Sequence, residues 1–472
     1  MERVLDYFYE ICAIPHGSGN MDAISSYCVN FAEKRDLFCH RDEANNVIIK
    51  KEGRGKGKNA PPLILQGHLD MVCQKEEKIF FDFDKDGILP FKDGDLIRAR
   101  GTTLGADNGI AVAMILALLE RNEGDFPPIE AVFTTDEEIG MVGAKKLSPH
   151  LLSAKRMINL DGESDLAVTV SCAGGVDLTL QSRGESERKS GFAVEFSLSG
   201  LKGGHSGVEI HKNRANAALL CGKILARVYE KIPFFTVSLS SGEKSNAIPF
   251  WAKARVLTES PAAFSAALQE ECEKEKAVWL PFEEGFDCEI SSGKSSEEET
   301  LSRNLEEKLY GFFREAETGV ISMSEKIKGL VETSYNLGIL SVSPKGVKIC
   351  YSLRSSVTSE LEKLKKSLSS LGENHGFEWE EDGFYPPWEY REDSPLREVY
   401  SSVFLQKRGS APKIESIHAG LECGVFAGLI PDLDCISIGP DLFEIHSPRE
   451  AMSISSVERL YEILKEVLEK LS

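Results

Sequence analysis

Two hydrophobic patterns alternate along the chain. Short, nearly continuous apolar runs recur at Leu63 to Leu65, Ile129 to Thr135 and Met157 to Leu160, each bounded by polar or glycine-containing turns. Runs of this length and character belong to strands buried on both faces of a parallel sheet. Elsewhere the apolar positions recur at helical spacing. Val4, Leu5, Tyr7, Phe8 and Ile11 mark a helix from Val4 to Cys12, ended by Pro15 and Gly17. Ile24 to Arg35 reads as a second helix, Ile110 to Glu120 as a third, and Ile454 to Leu471 as an amphipathic closing helix. Val47 to Lys50 is a further strand, followed by a solvated loop or hairpin from Lys50 to Lys58.

From about Lys189 the order changes to strand, glycine-rich turn, helix: Ala193 to Leu198, then Gly203-Gly204-His205-Ser206-Gly207, then Asn213 to Tyr229. Ser245-Asn246-Ala247-Ile248-Pro249 precedes a strand at Ala252 to Leu257 and a helix at Ala262 to Ala277. Val347 to Leu353 and Ser359 to Leu371 repeat the strand-helix order, as in a doubled α+β unit, without a tight sequence repeat. Cys435 to Pro440 is again strand-like.

A chain of 472 residues is too long for one ordinary core, so two domains are expected. Its formal net charge of -20 argues against a nucleic-acid or anionic-membrane partner. The 11 cysteines are odd in number and lack paired spacing, which excludes a disulfide framework and a zinc ribbon and points to a reducing cytoplasm. Met1 to Asp6 does not read as a secretion signal, and no apolar run is long enough to span a bilayer.

The candidate chemistry lies in four islands between Gln66 and Asp161, each beside an apolar run or a turn. They are Gly67-His68-Leu69-Asp70, Gly105-Ala106-Asp107-Asn108-Gly109, Thr135-Asp136-Glu137-Glu138-Ile139-Gly140 and Asn159-Leu160-Asp161. In an open α/β sheet, ligands bind beyond the carboxyl ends of the strands, where these acids and imidazole fall. Adjacent Glu137 and Glu138 at the end of a buried strand repel each other unless a cation or a proton is shared. Taken singly, Asp107 reads first as a helix cap, Glu137-Glu138 as a solvated acidic turn and His68 as a satisfied core or surface histidine. Together they have the composition of a two-metal hydrolytic site.

The motifs His68-Leu69-Asp70, Gly101-Thr102-Thr103-Leu104-Gly105-Ala106-Asp107-Asn108-Gly109, Asp136-Glu137-Glu138-Ile139-Gly140 and Asn159-Leu160-Asp161-Gly162-Glu163 resemble those of the aminoacyl-histidine dipeptidases. That family, also called cytosolic non-specific dipeptidases, is a branch of the zinc metallopeptidases that include glutamate carboxypeptidase and aminoacylase. The resemblance runs through essentially the whole chain. It implies an α/β fold: a catalytic domain with a mixed, mostly parallel central sheet flanked by helices, from residues 1–186 and 386–472, and an inserted α+β lid domain over 187–385. It also implies two zinc ions per chain, with cobalt or manganese as alternatives. His68 and Asp161 are expected to bind one ion, Glu138 and His446 the other, and Asp107 both. Glu137 is the expected general base, Asp70 the residue that orients His68, and Asp107-Asn108 a non-proline cis peptide.

In the lid, the resemblance assigns His205 to the substrate carbonyl oxygen or its oxyanion. Asn246 and Arg354 match the lid's asparagine and arginine, and Arg354 suits a substrate carboxylate because guanidinium is a planar, bidentate donor. Taken alone, His205 reads as a core histidine and Arg354 as a surface cation. Glu422, in His418-Ala419-Gly420-Leu421-Glu422-Cys423-Gly424, is a candidate partner for a free α-amino group, with a structural role at a helix start as the alternative. Tyr385-Pro386-Pro387-Trp388 marks the return to the catalytic domain, and both a self-sufficient chain and a homodimer through the lid fit the lid's length. The activity implied is hydrolysis of dipeptides with free amino and carboxyl ends in the cytoplasm, Xaa-His dipeptides among them. The alternatives are a metal-dependent N-acyl amino acid deacylase and a metal-binding scaffold; a scaffold has no need of Glu137.

Overall fold

In the computed structural model, which describes residues 1–184 and 186–472, the apolar runs form the centre of an eight-stranded sheet. Its strands are β1 (Phe38–Arg41), β2 (Val47–Lys51), β3 (Leu63–His68), β4 (Ile129–Thr134), β5 (Arg156–Asn159), β6 (Ala167–Cys172), β7 (Lys413–Ile417) and β8 (Asp434–Ser437). They lie in the order β1-β2-β4-β3-β5-β8-β6-β7. β4, β3, β5 and β8 are parallel neighbours, whereas β1, β2 and β6 join antiparallel on either side. This is the mixed, mostly parallel sheet that the family resemblance implies, with the apolar runs at its parallel centre. Every residue of β3, β4 and β8 is buried, which leaves no solvent face to impose an alternating pattern.

The helix Ala106–Glu120 packs against β3 and the helix Glu2–Cys12. It is buried without interruption from Asn108 to Leu119, so it carries apolar residues all round instead of along one stripe. The helix Ile454–Lys470, in contrast, buries Val457, Leu460, Leu464 and Val467 along one face, at helical spacing.

The chain divides into two compact units. The first comprises Met1–Cys172, Trp388–Ser416 and Leu421–Ser472; the second comprises Ala173–Pro387 and Ile417–Gly420. The second has its own nine-stranded sheet, with Asp287–Leu301 and Glu378–Tyr385 at its edges. Gly174–Arg183, within the span that the family resemblance assigns to the first domain, lies in that sheet between Gly346–Ser355 and Glu378–Tyr385. The chain therefore changes unit at Cys172, ahead of residue 186. Helices Ala217–Tyr229, Arg303–Glu315 and Thr358–Asn374 pack on this sheet around a core that includes Val194, Phe196, Leu225, Phe234, Phe312 and Tyr351.

Two local differences from the sequence pattern have clear causes. The helix expected from Asn213 begins at Ala217, because Asn213 takes a left-handed conformation and the Asn216 side chain caps the helix by accepting the Leu219 N–H. Asp287–Leu301 is a strand without an apolar alternation, since an edge strand rich in serine and glutamate stays solvated. Among the described residues no helix is long and apolar enough to cross a membrane.

Candidate metal centre

The four parallel strands end at His68, Thr134, Asn159 and Ser437, and the chain at or after each end carries a metal-type side chain. His68 closes β3, Glu137 and Glu138 follow β4, Asp161 follows β5, and His446 lies on the segment after β8. Parallel pairing sets these ends side by side, which sequence distance alone does not. Asp107 reaches the same place from the turn that opens the helix Ala106–Glu120, where the Asp107-Asn108 peptide is cis.

One carboxylate is divided between two imidazoles. Asp107 Oδ1 lies 3.3 Å from His68 Nε2, and Asp107 Oδ2 lies 3.2 Å from His446 Nε2. His68 Nε2 also stands 3.4 Å from Asp161 Oδ1, and His446 Nε2 stands 2.9 Å from Glu138 Oε1. The result is two triads that share Asp107. Two ligands about 2.0–2.2 Å from a tetrahedral zinc stand about 3.3–3.6 Å apart. The His68 contacts to Asp107 and Asp161 fall at that spacing and the His446 contacts slightly inside it, so this mix of imidazole and carboxylate donors fits divalent ions. Across the two triads, His68, Asp107 and Glu138 each offer a ligand atom within 4.8 Å of the others.

The electrostatics point the same way. Burial opposes charge on His68, but Asp161, Asp107 and Asp70 outweigh it and hold the imidazole well above its ordinary pKa. Hydrogen bonds to Asp107 and Glu138 push His446 up to about 10. Burial acts to raise Asp107, yet the two imidazoles bring it below the usual carboxylate range. Burial pushes Asp161 up to about 7 and Glu137 well above its ordinary value. A divalent cation offsets the cost of ionising acids that are buried this closely together.

The supporting contacts come from residues that sequence motifs only partly indicate. Asp70 turns its backbone carbonyl to His68 Nδ1 at 2.9 Å, with its carboxylate at 3.4 Å. That carboxylate also accepts the N–H groups of Glu137 and Glu138 at 2.9 and 3.2 Å and the Ser18 hydroxyl at 2.8 Å, so it places the Glu137-Glu138 turn as well as the imidazole. Asn108 accepts the His68 N–H and donates to the Leu160 carbonyl, joining the ends of β3 and β5.

Beneath the ligands a buried polar chain crosses the strands. Thr134 Oγ1 and Gln66 Nε2 both donate to Glu422 Oε2, at 2.7 and 2.5 Å. Asn159 Nδ2 donates to Gln66 Oε1, and Ser437 Oγ donates to Asn159 Oδ1, both at 2.5 Å. Glu422 is 0% exposed, and burial pushes its carboxyl up to about 7. Asn159 stands inside an apolar run and Gln66 directly after one, both within buried strands, and a polar residue within a buried strand is the signal that marks them.

A sequence model of peptidase family M20/M25/M40 matches residues 64–470, a span that holds all of these ligand candidates. The chain belongs to this family. It is a metallopeptidase, and the strand ends carry its candidate metal ligands. The cytosol non-specific dipeptidase of Escherichia coli (strain K12) is 35% identical over 478 residues, spanning 99% of this chain and 97% of the relative. The crystal structure of the aminoacylhistidine dipeptidase from Vibrio alginolyticus matches with a TM-score of 0.91 at 33% identity, covering 100% of this chain and 96% of that one. An aminopeptidase from Bacillus cereus shares the fold at a TM-score of 0.59 and 16% identity, over 100% and 98% of the two chains.

The remaining candidates of this M20-family chain lie in the second unit. His205 pairs with Ala247 across a two-stranded ribbon, next to the exposed Asn246. The Gly207 and Val208 N–H groups point at His205 Nδ1 at 3.1 and 3.2 Å, which fixes Nδ1 as the acceptor and leaves the proton on Nε2. Burial and the Arg354 charge lower the His205 pKa, keeping the ring neutral. Asn336 Nδ2 donates to the carbonyls of Ser245 and Ala247, at 2.9 and 2.8 Å, and so fixes the backbone on both sides of Asn246. Arg354, on Gly346–Ser355, is only 7% exposed; one guanidinium nitrogen donates to Tyr385 Oη at 2.8 Å.

Proposed function

We propose that this M20-family peptidase is a two-metal dipeptidase acting on dipeptides with free amino and carboxyl ends. The observation that carries the reading is the division of the Asp107 carboxylate between His68 and His446, each with its own second acid. In this reading His68 and Asp161 hold one ion, His446 and Glu138 the other, and Asp107 both. The mixed imidazole and carboxylate set suits zinc, with cobalt and manganese as alternatives. When bound, the ions supply Lewis acidity toward water and the scissile carbonyl.

Glu137 takes a proton from the attacking water and returns it to the leaving amine. Without metal, burial and the neighbouring acids hold its carboxyl well above the ordinary range, and adjacent cations favour the ionised form that a base needs. Asp70 keeps Glu137, Glu138 and His68 in register through the contacts described above. His205, with its proton on Nε2, donates to the carbonyl oxygen as negative charge develops there. Asn246 and Arg354 bind the substrate's carboxyl end. For Glu422 the structural role is favoured, because a carboxylate that is 0% exposed and held by Gln66 and Thr134 is closed to an incoming amine.

The dipeptide assignment draws on relatives similar over nearly the full chain: one is a cytosol non-specific dipeptidase, the other an aminoacylhistidine dipeptidase. With it we assign the first unit as the catalytic domain, the second as the lid domain, and the cytoplasm as the compartment. The free state of the cysteines is consistent with that compartment.

The test is hydrolysis by zinc-loaded protein of free dipeptides, Xaa-His dipeptides included, against their N-acetylated counterparts. Cleavage confined to free dipeptides supports the assignment. Preference for the acetylated series replaces it with a deacylase, and no turnover of either series by protein carrying two ions leaves only metal binding.

A further inference from the structure

Glu450 belongs to no motif singled out above, yet its carboxylate accepts four consecutive backbone N–H groups. Oε2 takes those of Leu104 and Gly105 at 2.7 and 3.1 Å, and Oε1 takes those of Ala106 and Asp107 at 2.9 and 3.3 Å. The side chain is 3% exposed. Gly105, at φ 71°, turns the backbone so that these amides converge. Such a concave set of N–H groups at the start of a helix is an anion-binding nest. Here an acid from the far end of the chain fills it, and no side chain of the turn itself caps the helix.

Both ends of this contact lead to the metal centre. Asp107 is the last of the four amides. Glu450 follows His446 by one short turn, in which its own N–H bonds the Ser447 carbonyl at 3.1 Å. The residues on either side are tied down: Ala451–Ser453 pairs with Leu96–Ala99, and Arg98 donates to the Arg449 carbonyl at 3.1 Å. One carboxylate thus joins the turn that presents Asp107 to the segment that presents His446, two side chains 3.2 Å apart.

We propose that Glu450 is a positioning residue that sets the Asp107–His446 spacing, and with it the second metal position. It touches neither substrate nor metal and acts through the backbone of Asp107. The inference rests on the proposed roles of Asp107 and His446 as metal ligands. Glutamine at 450 is nearly isosteric, but it turns an NH2 group toward two N–H donors and removes the charge, so the turn loses half of its acceptors.

The experiment compares wild type, Glu450→Gln, Glu450→Asp and a control, Leu460→Ala, which opens a cavity in the closing helix away from the ligands. Metal content and affinity are read by elemental analysis and competition with a zinc chelator, and backbone order by hydrogen exchange of the peptide spanning 104–107. Glu450→Gln is expected to weaken the second ion about 10–100-fold, to lower kcat by a similar factor with KM changed little, and to speed exchange at 104–107. Glu450→Asp, which keeps the charge, is expected to recover part of each loss, and Leu460→Ala to bind two ions as wild type does. Wild-type affinity for both ions in Glu450→Gln overturns the proposal, as does an equal loss of metal in Leu460→Ala at matched stability. Wild type that binds two ions but cleaves no dipeptide defeats the dipeptidase reading alone, because affinity and exchange still decide the role of Glu450.

Discussion

At the scale of single residues, the site depends on neighbours with opposite tasks. Glu138 faces His446, whereas Glu137, one position earlier, is left with a raised pKa. Glu137→Gln is therefore expected to lower kcat about 10²–10⁴-fold while metal content, read by elemental analysis, stays at the wild-type value. Glu138→Gln is expected to lose metal as well as turnover. A second prediction follows from the imidazoles. Without metal, His68 is held well above its ordinary pKa and His446 near 10, so both are protonated at neutral pH. Ligation needs neutral rings and ionised carboxylates, so loading both positions at pH 7.5 should release at least the two imidazole protons, with a further fraction from Asp161, and affinity should fall as the pH drops. Calorimetry in buffers of different ionisation enthalpy measures this; release of no protons would contradict the pairing of each histidine with a metal position.

At the scale of elements, polar groups inside the core fix how strands and helices meet. Asn159 links β5 to Gln66 on β3 and to Ser437 on β8, and its Oδ1 also faces the Asp161 N–H at 3.3 Å. Asn159→Ala leaves these buried partners unpaired, at a cost of about 1–3 kcal/mol for each group stranded. It is expected to lower stability in urea and to weaken the ion held by Asp161. The helix Arg303–Glu315 carries a different device. Its buried Glu306 accepts the Thr236 N–H, and burial pushes the carboxyl up to about 7. The folded form thus keeps a proton that an unfolded glutamate, near its ordinary 4.5, releases. Stability should fall as the pH rises from about 4.5 to 7, by on the order of 3 kcal/mol, and then level off. Glu306→Gln should match wild type near pH 4.5 and exceed it at pH 8, as read from denaturant midpoints of the second unit.

At the scale of the molecule, all five candidate ligands, His68, Asp107, Glu138, Asp161 and His446, belong to the first unit, while the second has its own sheet and core. Removing metal should therefore act on one unit. A ligand at about 1,000 times its Kd contributes about 4 kcal/mol to the form that binds it. Calorimetric scans with and without a chelator are expected to shift the transition of the first unit and leave that of the second in place. A common shift of both would show that the units unfold together.

The sequence by itself determined the residue types of the site and the elements that carry them. Strands buried on both faces are mainly apolar, and the acids and histidines at their carboxyl ends lie within a few residues of those runs. Legibility ended where partners are remote. Nothing local to Leu104-Gly105-Ala106-Asp107 shows that its amides need an acid 343 to 346 positions away, and Gln66 gives no sign of Glu422, 356 positions on. Gly174–Arg183 falls within the 1–186 span expected for the first domain, and only its pairing places it in the second sheet. The tertiary structure alone decided the strand order, the division of Asp107 between two imidazoles and the closing of the turn by Glu450. Hydrophobic periodicity records which face of an element is buried, whereas the direction of a hydrogen bond or a shared carboxylate depends on which other element arrives there.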